Sequence, residues 1–173
     1  MEVNDAANLI PLRTNLSAEI EIWADLGCGA GTFTYALAMQ LNPQSTIYAV
    51  DTDYQSLQTT YNQVEIAFVQ SNFETSLAQL PGLHGVLMAN SLHFIKDKKS
   101  FLLGLKSKLI HQSKLIIVEY DTSNANNWVP YPINFIALRD LISEVGFQNI
   151  EKIGERTSMY QSRMYALKAT KVS

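Results

Sequence analysis

Between Asp25 and Gly31 the chain reads Asp-Leu-Gly-Cys-Gly-Ala-Gly, and Asp51 follows 20 residues after Gly31 (51 minus 31). Gly27, Gly29 and Gly31 let the backbone turn sharply and bring its amides against a ligand with no Cβ in the way, as nucleotide folds do after a first strand. An acid at that distance can accept both hydroxyls of a ribose, one on each carboxylate oxygen. The glycines alone would equally suit a tight strand-to-helix turn, so Asp51 is what tips the reading toward a nucleotide.

Two nucleotide classes share this arrangement. A dinucleotide fold calls for a further glycine where this chain has Thr32, and the Asp25 carboxylate would repel a pyrophosphate. The same carboxylate would attract the ammonium of an amino-acid moiety, directly or through water; the competing role for Asp25 is that of a hydrogen-bonding anchor for the loop. Asp53 is expected to cap the next helix. Cys28, at a helix start, reads either as a thiol with some thiolate character or as a small residue in a crowded turn.

Further reactive groups follow later strands, at the sheet edge where open α/β folds bind ligands. His93 could take a proton from an attacking hydroxyl or acidic carbon, and Tyr120, Asp121 and Tyr131 share that position. Each also reads as an ordinary residue after a strand. Residues 121–132 end in Trp-Val-Pro-Tyr-Pro and form a long connection, suited either to a lid over the site or to a proline-stiffened loop with Trp128 filling a gap. Arg139 is a candidate for meeting an anionic substrate, and Trp23 is expected in the core.

The elements that must position these groups alternate. Short apolar runs at 21–26, 46–50, 65–69, 86–89 and 115–119 read as buried parallel strands, with helical segments between them. Phe33, Leu37 and Leu41 mark one apolar helix face, Leu102, Leu105 and Leu109 a second, and Phe135, Leu138, Ile142 and Val145 a third that stops at Gly146. Strands at 147–153 and 159–167 are separated by residues 154–157, too short a link for a parallel crossover, so they form an antiparallel hairpin. The expected architecture is one α/β domain over 21–173 with a seven-stranded, mostly parallel sheet. Residues 1–20 are either a tail or a partial cover in which Leu9, Ile10 and Leu12 pack over the site.

Composition narrows the partners. The 173 residues are 47% hydrophobic and 17% charged with net charge −3, which suits a packed domain and gives nucleic acid no broad electrostatic hold. No apolar stretch approaches the ~20 residues of a membrane span and no secretory signal is visible, so the expected location is the cytoplasm. With Cys28 as the one cysteine and His84, His93 and His111 scattered, no metal site is expected. A homodimer is compatible with the sequence.

Residues 22–31, 47–51 and the later strand ends together resemble a class I S-adenosylmethionine-dependent methyltransferase, nearest in impression to the small ubiquinone/menaquinone-methyltransferase-like group. The resemblance spans nearly the whole chain and implies a Rossmann-like, doubly wound sheet. It assigns the cofactor S-adenosylmethionine to Asp25, Gly27, Cys28, Gly29, Gly31, Asp51, Thr52, Asn72, Phe73 and Asn90. Asn72 stands where the family usually has an acid that meets the adenine amine, and Phe73 follows it. The segment 88–93 matches the family's fourth motif but lacks the Asn/Asp-Pro-Pro-aromatic run of enzymes acting on base or amide nitrogen. The implied reaction is methyl transfer to oxygen or carbon of a small acceptor, apolar or weakly anionic, with His93, Asp121 and Tyr131 as candidate catalytic residues. The alternative from another class is a non-catalytic cofactor-binding module or a partner-dependent subunit; an NAD-dependent oxidoreductase is disfavoured by Thr32.

Overall fold

The computed structural model describes residues 1–12, 19–157 and 163–172. β1 (Ile22–Leu26) lies in the middle of an eight-stranded sheet, its last four residues buried, as a strand covered on both faces requires. β2 (Thr46–Asp51) pairs with it on one side and β5 (Leu83–Ala89) on the other, both parallel. The order therefore reverses at β1, and a crevice opens beyond its carboxyl end. β4 (Val64–Gln70) continues the parallel sheet outward from β2, and β6 (Leu109–Tyr120) continues it from β5. β8 (Arg163–Thr170) runs antiparallel to β6, and β7 (Gln148–Thr157) antiparallel to β8 at the edge.

Helices cover both faces. On one, α1 (Val3–Leu9) and α2 (Thr32–Ala38) bury Ala6, Leu9, Ala36 and Leu37 against Trp23, Ile47, Leu87 and Ile116. On the other, α3 (Phe73–Ser76), α4 (Lys98–Lys108) and α5 (Phe135–Glu144) pack over Ala24, Leu26, Val86 and Leu115. α4 starts where the Asp97 carboxylate accepts from the Ser100 amide, and α5 where Asn134 accepts from Ala137. The second ends, as expected, at Gly146 with φ +90°. Among the described residues, no helix is long and apolar enough to cross a membrane.

Three details differ from the sequence reading. The eighth strand is β3 (Thr60–Tyr61), which folds back on β4 through Asn62 and Gln63, both at positive φ. No helix follows Asp53 in the β2 to β4 connection. Its amide instead donates to the Asp51 carboxylate in a turn, and the segment offers no apolar stripe to hold a helix on the sheet. Finally, Gly154 to Thr157 lie within β7 and do not form the hairpin turn; the proposed strand start at Met159 lies outside the described residues. Gly154 is a packing glycine: a Cβ there would stand 2.0 Å from the Leu9 carbonyl oxygen, so α1 closes directly onto β7.

Candidate active site

The loop after β1 is pinned before any ligand arrives. The amides of Gly27 and Cys28 both donate to the Val50 carbonyl, at 2.8 and 3.0 Å, tying the loop to β2. From β5's side, the Ser91 hydroxyl donates to the Leu26 carbonyl at 2.6 Å. Gly27 has φ +82° and an added Cβ would fall 2.5 Å from the Ser91 Cβ, so strand ends can approach this closely only through glycine. Gly29 differs: no atom lies within 4 Å of where its Cβ would be, which leaves an open concavity walled by backbone. The Asp51 carboxylate accepts from the Gly29 amide at 2.8 Å and from the Asp53 amide at 3.0 Å.

Beneath the loop, Asp25 is fully buried and one of its oxygens accepts from the Thr34 hydroxyl at 2.7 Å. Burial pushes its carboxyl up to about 7, against the Thr34 hydrogen bond that lowers it; Asp51 nearby adds to the rise. Its other oxygen, Oδ1, is buried and makes no hydrogen bond, and so is Oδ1 of Asn90, held at φ +54° after β5. Asn90 borders open space that a ligand donor can enter, whereas Asp25 is wholly enclosed. The Cys28 thiol is pushed well above its usual range by burial, with Asp25 and Asp51 adding to it, which leaves the small-residue reading and removes the thiolate one.

These elements enclose a cavity of about 650 Å³. Gly27, Cys28, Gly29, Asp51, Thr52, Phe73 and Asn90 line it, seven of the ten residues expected to hold a cofactor. Asp25 and Gly31 lie buried behind the lining. Asn72 is exposed, and its side chain caps α3 by accepting from the Glu74 amide at 2.8 Å. The far end of the cavity is formed by Phe94, Tyr120, Met164, Arg156 and Met1. Of these only Tyr120 had a sequence signal; Arg156 and Met164 reach the site through edge-strand pairing, which leaves no local motif.

The three candidate catalytic residues are not brought together. His93 is buried, with its amide and Nδ1 both on the Glu119 carboxylate at 3.0 and 2.7 Å, and its ring lies 4.4 Å from that of Phe94 and 6.4 Å from that of Tyr120, centre to centre. It backs the cavity wall without lining it. Asp121 is turned away, its carboxylate capping α5 through the Phe135 amide at 2.9 Å in a separate surface groove. The Tyr131 amide donates to the His93 carbonyl and its own carbonyl accepts from the Lys98 ammonium, outside the cavity. Burial lowers the Lys98 ammonium from its usual range, partly offset by Glu119. Trp128 is 84% exposed and fills no gap, and Arg139 pairs with Asp140 away from the site. Among the described residues no cluster suited to a metal ion occurs.

A methyltransferase-domain family model matches residues 22–166, and the chain belongs to that family. No curated protein matches it in sequence. Solved structures with the same fold include 1,6-didemethyltoxoflavin-N1-methyltransferase of Burkholderia thailandensis, with 1,6-didemethyltoxoflavin and S-adenosylhomocysteine bound. It is 15% identical over 99% of this chain and 78% of that one, with TM-score 0.72. The CurJ carbon methyltransferase is 16% identical over 92% of this chain and 50% of its own, TM-score 0.69. Human N-acetylserotonin methyltransferase in complex with S-adenosylmethionine is 16% identical over 99% and 52%, TM-score 0.64. The chain thus spans about half the length of the last two.

Proposed function

We propose that the protein transfers a methyl group from S-adenosylmethionine to an oxygen or carbon of a small-molecule acceptor. The observation that carries this is a single cavity joining two unlike ends. One has the glycine loop, Asp51 and the unsatisfied acceptor of Asn90; the other has Phe94, Tyr120 and Met164. Neighbours of the same fold hold S-adenosylhomocysteine or S-adenosylmethionine, and one of them methylates carbon by name, which supports the reading. The motifs at 25–31 and 88–93 resemble the small ubiquinone/menaquinone-methyltransferase-like group, a likeness that assigns no acceptor.

The cofactor would supply a methyl carbon already activated by its sulfonium, so the protein's work is largely alignment and exclusion of water. Asp51 and Thr52 would hold the sugar end, Phe73 would pack beside the base, and Asn90 with the 27–29 backbone would face the amino-acid end, Asp25 lying enclosed behind that loop. Asn72, at the start of α3, is available to the base through its amide. His93, behind the wall beside Phe94 and Tyr120 with Glu119 fixing its ring, is the residue we assign to proton removal from the acceptor; the Asp121 carboxylate is engaged by the Phe135 amide, and Tyr131, tied in through its main chain, lies outside the cavity.

Incubation with S-adenosylmethionine and a broad metabolite panel, reading S-adenosylhomocysteine release, tests the proposal. Release with an oxygen or carbon acceptor supports it. Calorimetric binding of the cofactor with no release from any acceptor would favour the non-catalytic or partner-dependent reading, and absence of binding would overturn both.

A further inference from the structure

We infer that Arg156 selects a methyl acceptor bearing a carboxylate, and that Asp5 occupies its guanidinium until such an acceptor replaces it. The inference rests on the proposed function and names the substrate class of that site. Tyr120, Met164 and Arg156 stand opposite one another across three neighbouring strands: Tyr120 pairs with Met164 between β6 and β8, and Met164 with Arg156 between β8 and β7. Directly opposed residues project to the same face of a sheet, and at ~4.8 Å per strand such a row spans about 10 Å. All three line the cavity, so its far end has a phenol, a thioether and a guanidinium in line, with the exposed Phe94 ring also part of the wall.

Arg156 is the one basic side chain among the described residues of that lining. Its polar partner is the Asp5 carboxylate of α1 at 2.9 Å, both side chains being more than a third exposed. The guanidinium has five N–H donors in a planar fork, and no other described residue takes any of them. A role in anchoring α1 explains this poorly. An exposed ion pair contributes only ~0–1 kcal/mol, whereas Ala6, Leu9 and Ile10 are already buried and Leu9 sits against Gly154. A guanidinium in line with a thioether and a phenol, beside a phenyl ring, matches a compact, largely apolar acceptor with one planar anionic group, and a carboxylate meets the fork with two parallel bonds.

The test uses the protein saturated with S-adenosylhomocysteine and a calorimetric panel of hydroxylated aromatic carboxylates, each matched with its carboxamide. Wild-type protein is expected to favour at least one acid over its amide by roughly tenfold or more, the scale of charge-assisted hydrogen bonds. Arg156→Gln should erase the preference and Arg156→Lys keep part of it. Asp5→Asn, which frees the fork, should tighten acid binding. If Arg156 only anchored α1, Asp5→Asn and Arg156→Gln would shift acid binding in the same direction, and that result overturns the inference, as does a wild-type protein that favours no acid in the panel. Binding of S-adenosylhomocysteine is read separately, so its failure would sink the proposed function and not be confused with a failed acceptor.

Discussion

The Asp51 carboxylate braces the Gly29 amide at 2.8 Å, so the acid that ends one strand fixes the loop that follows its neighbour. That single side chain shapes the concavity, and under the proposed function its remaining lone pairs would take a ribose. Saturation at a hundred times the dissociation constant stabilises a folded protein by about 2.7 kcal/mol. Asp51→Ala should lose most of the thermal shift that S-adenosylhomocysteine gives to wild type. An undiminished shift would place the cofactor somewhere else.

Gly27 and Gly29 separate folding from binding. Both have positive φ, but alanine at 27 would drive a Cβ to 2.5 Å from Ser91, whereas alanine at 29 meets nothing within 4 Å. Gly27→Ala is expected to cost roughly 1–3 kcal/mol from overpacking, with the left-handed backbone penalty on top. Gly29→Ala should cost only about 1–2 kcal/mol from its backbone, yet place a methyl group in the cavity and weaken cofactor binding. Chemical denaturation and calorimetry on the two variants check this; equal stability loss in both would contradict the geometry.

Asp25 makes folding stability depend on pH. Its carboxyl is raised to about 7 in the folded chain, so the unfolded state ionises first as pH rises from its ordinary value near 3.8. Protons are then bound more by the folded state. The contribution is fully present below the unfolded value, falls by up to ~1.4 kcal/mol per pH unit on the way to 7, and is lost above it. Asp25→Asn removes this slope, so the variant's stability, measured by denaturant titration without cofactor, should decline less than wild type's between pH 5 and 7, values within that window. A parallel decline would show that Asp25 is not the titrating group.

The glycine loop, Asp51 and the parallel strands were legible because each has a local cause: positive-φ glycines, an acid at a strand end, uninterrupted apolar runs. The far wall was not. Arg156 and Met164 enter the cavity only because β7 and β8 fold back beside β6, and register between distant strands leaves no mark near either residue. Gly154 misled for a related reason, since a glycine demanded by the Leu9 carbonyl is indistinguishable in sequence from one that makes a turn. Asp121 follows a strand at the right edge, but its carboxylate accepts from the Phe135 amide, and Tyr131 is tied by its main chain to His93 and Lys98 outside the cavity; such placements are set by the neighbours that folding supplies.

Glu119 offers the sharpest test of the role assigned to His93. It is buried and accepts from both the His93 amide and the ring, and with Glu119 ionised and the imidazole neutral, Nδ1 carries the proton and Nε2 keeps its lone pair. In Glu119→Gln one side-chain oxygen can still accept from the amide, but the NH2 group facing the ring donates. Nδ1 must then become the acceptor, and the imidazole proton moves to Nε2, where it blocks uptake of a proton from the acceptor. The variant should stay folded and bind S-adenosylhomocysteine as wild type does, while kcat falls by the ~10²–10⁴-fold typical of a lost general base. Nitrogen NMR of the labelled imidazole should show the change of tautomer. A tautomer change with kcat intact would remove His93 from the chemistry and leave it a buried partner of Glu119.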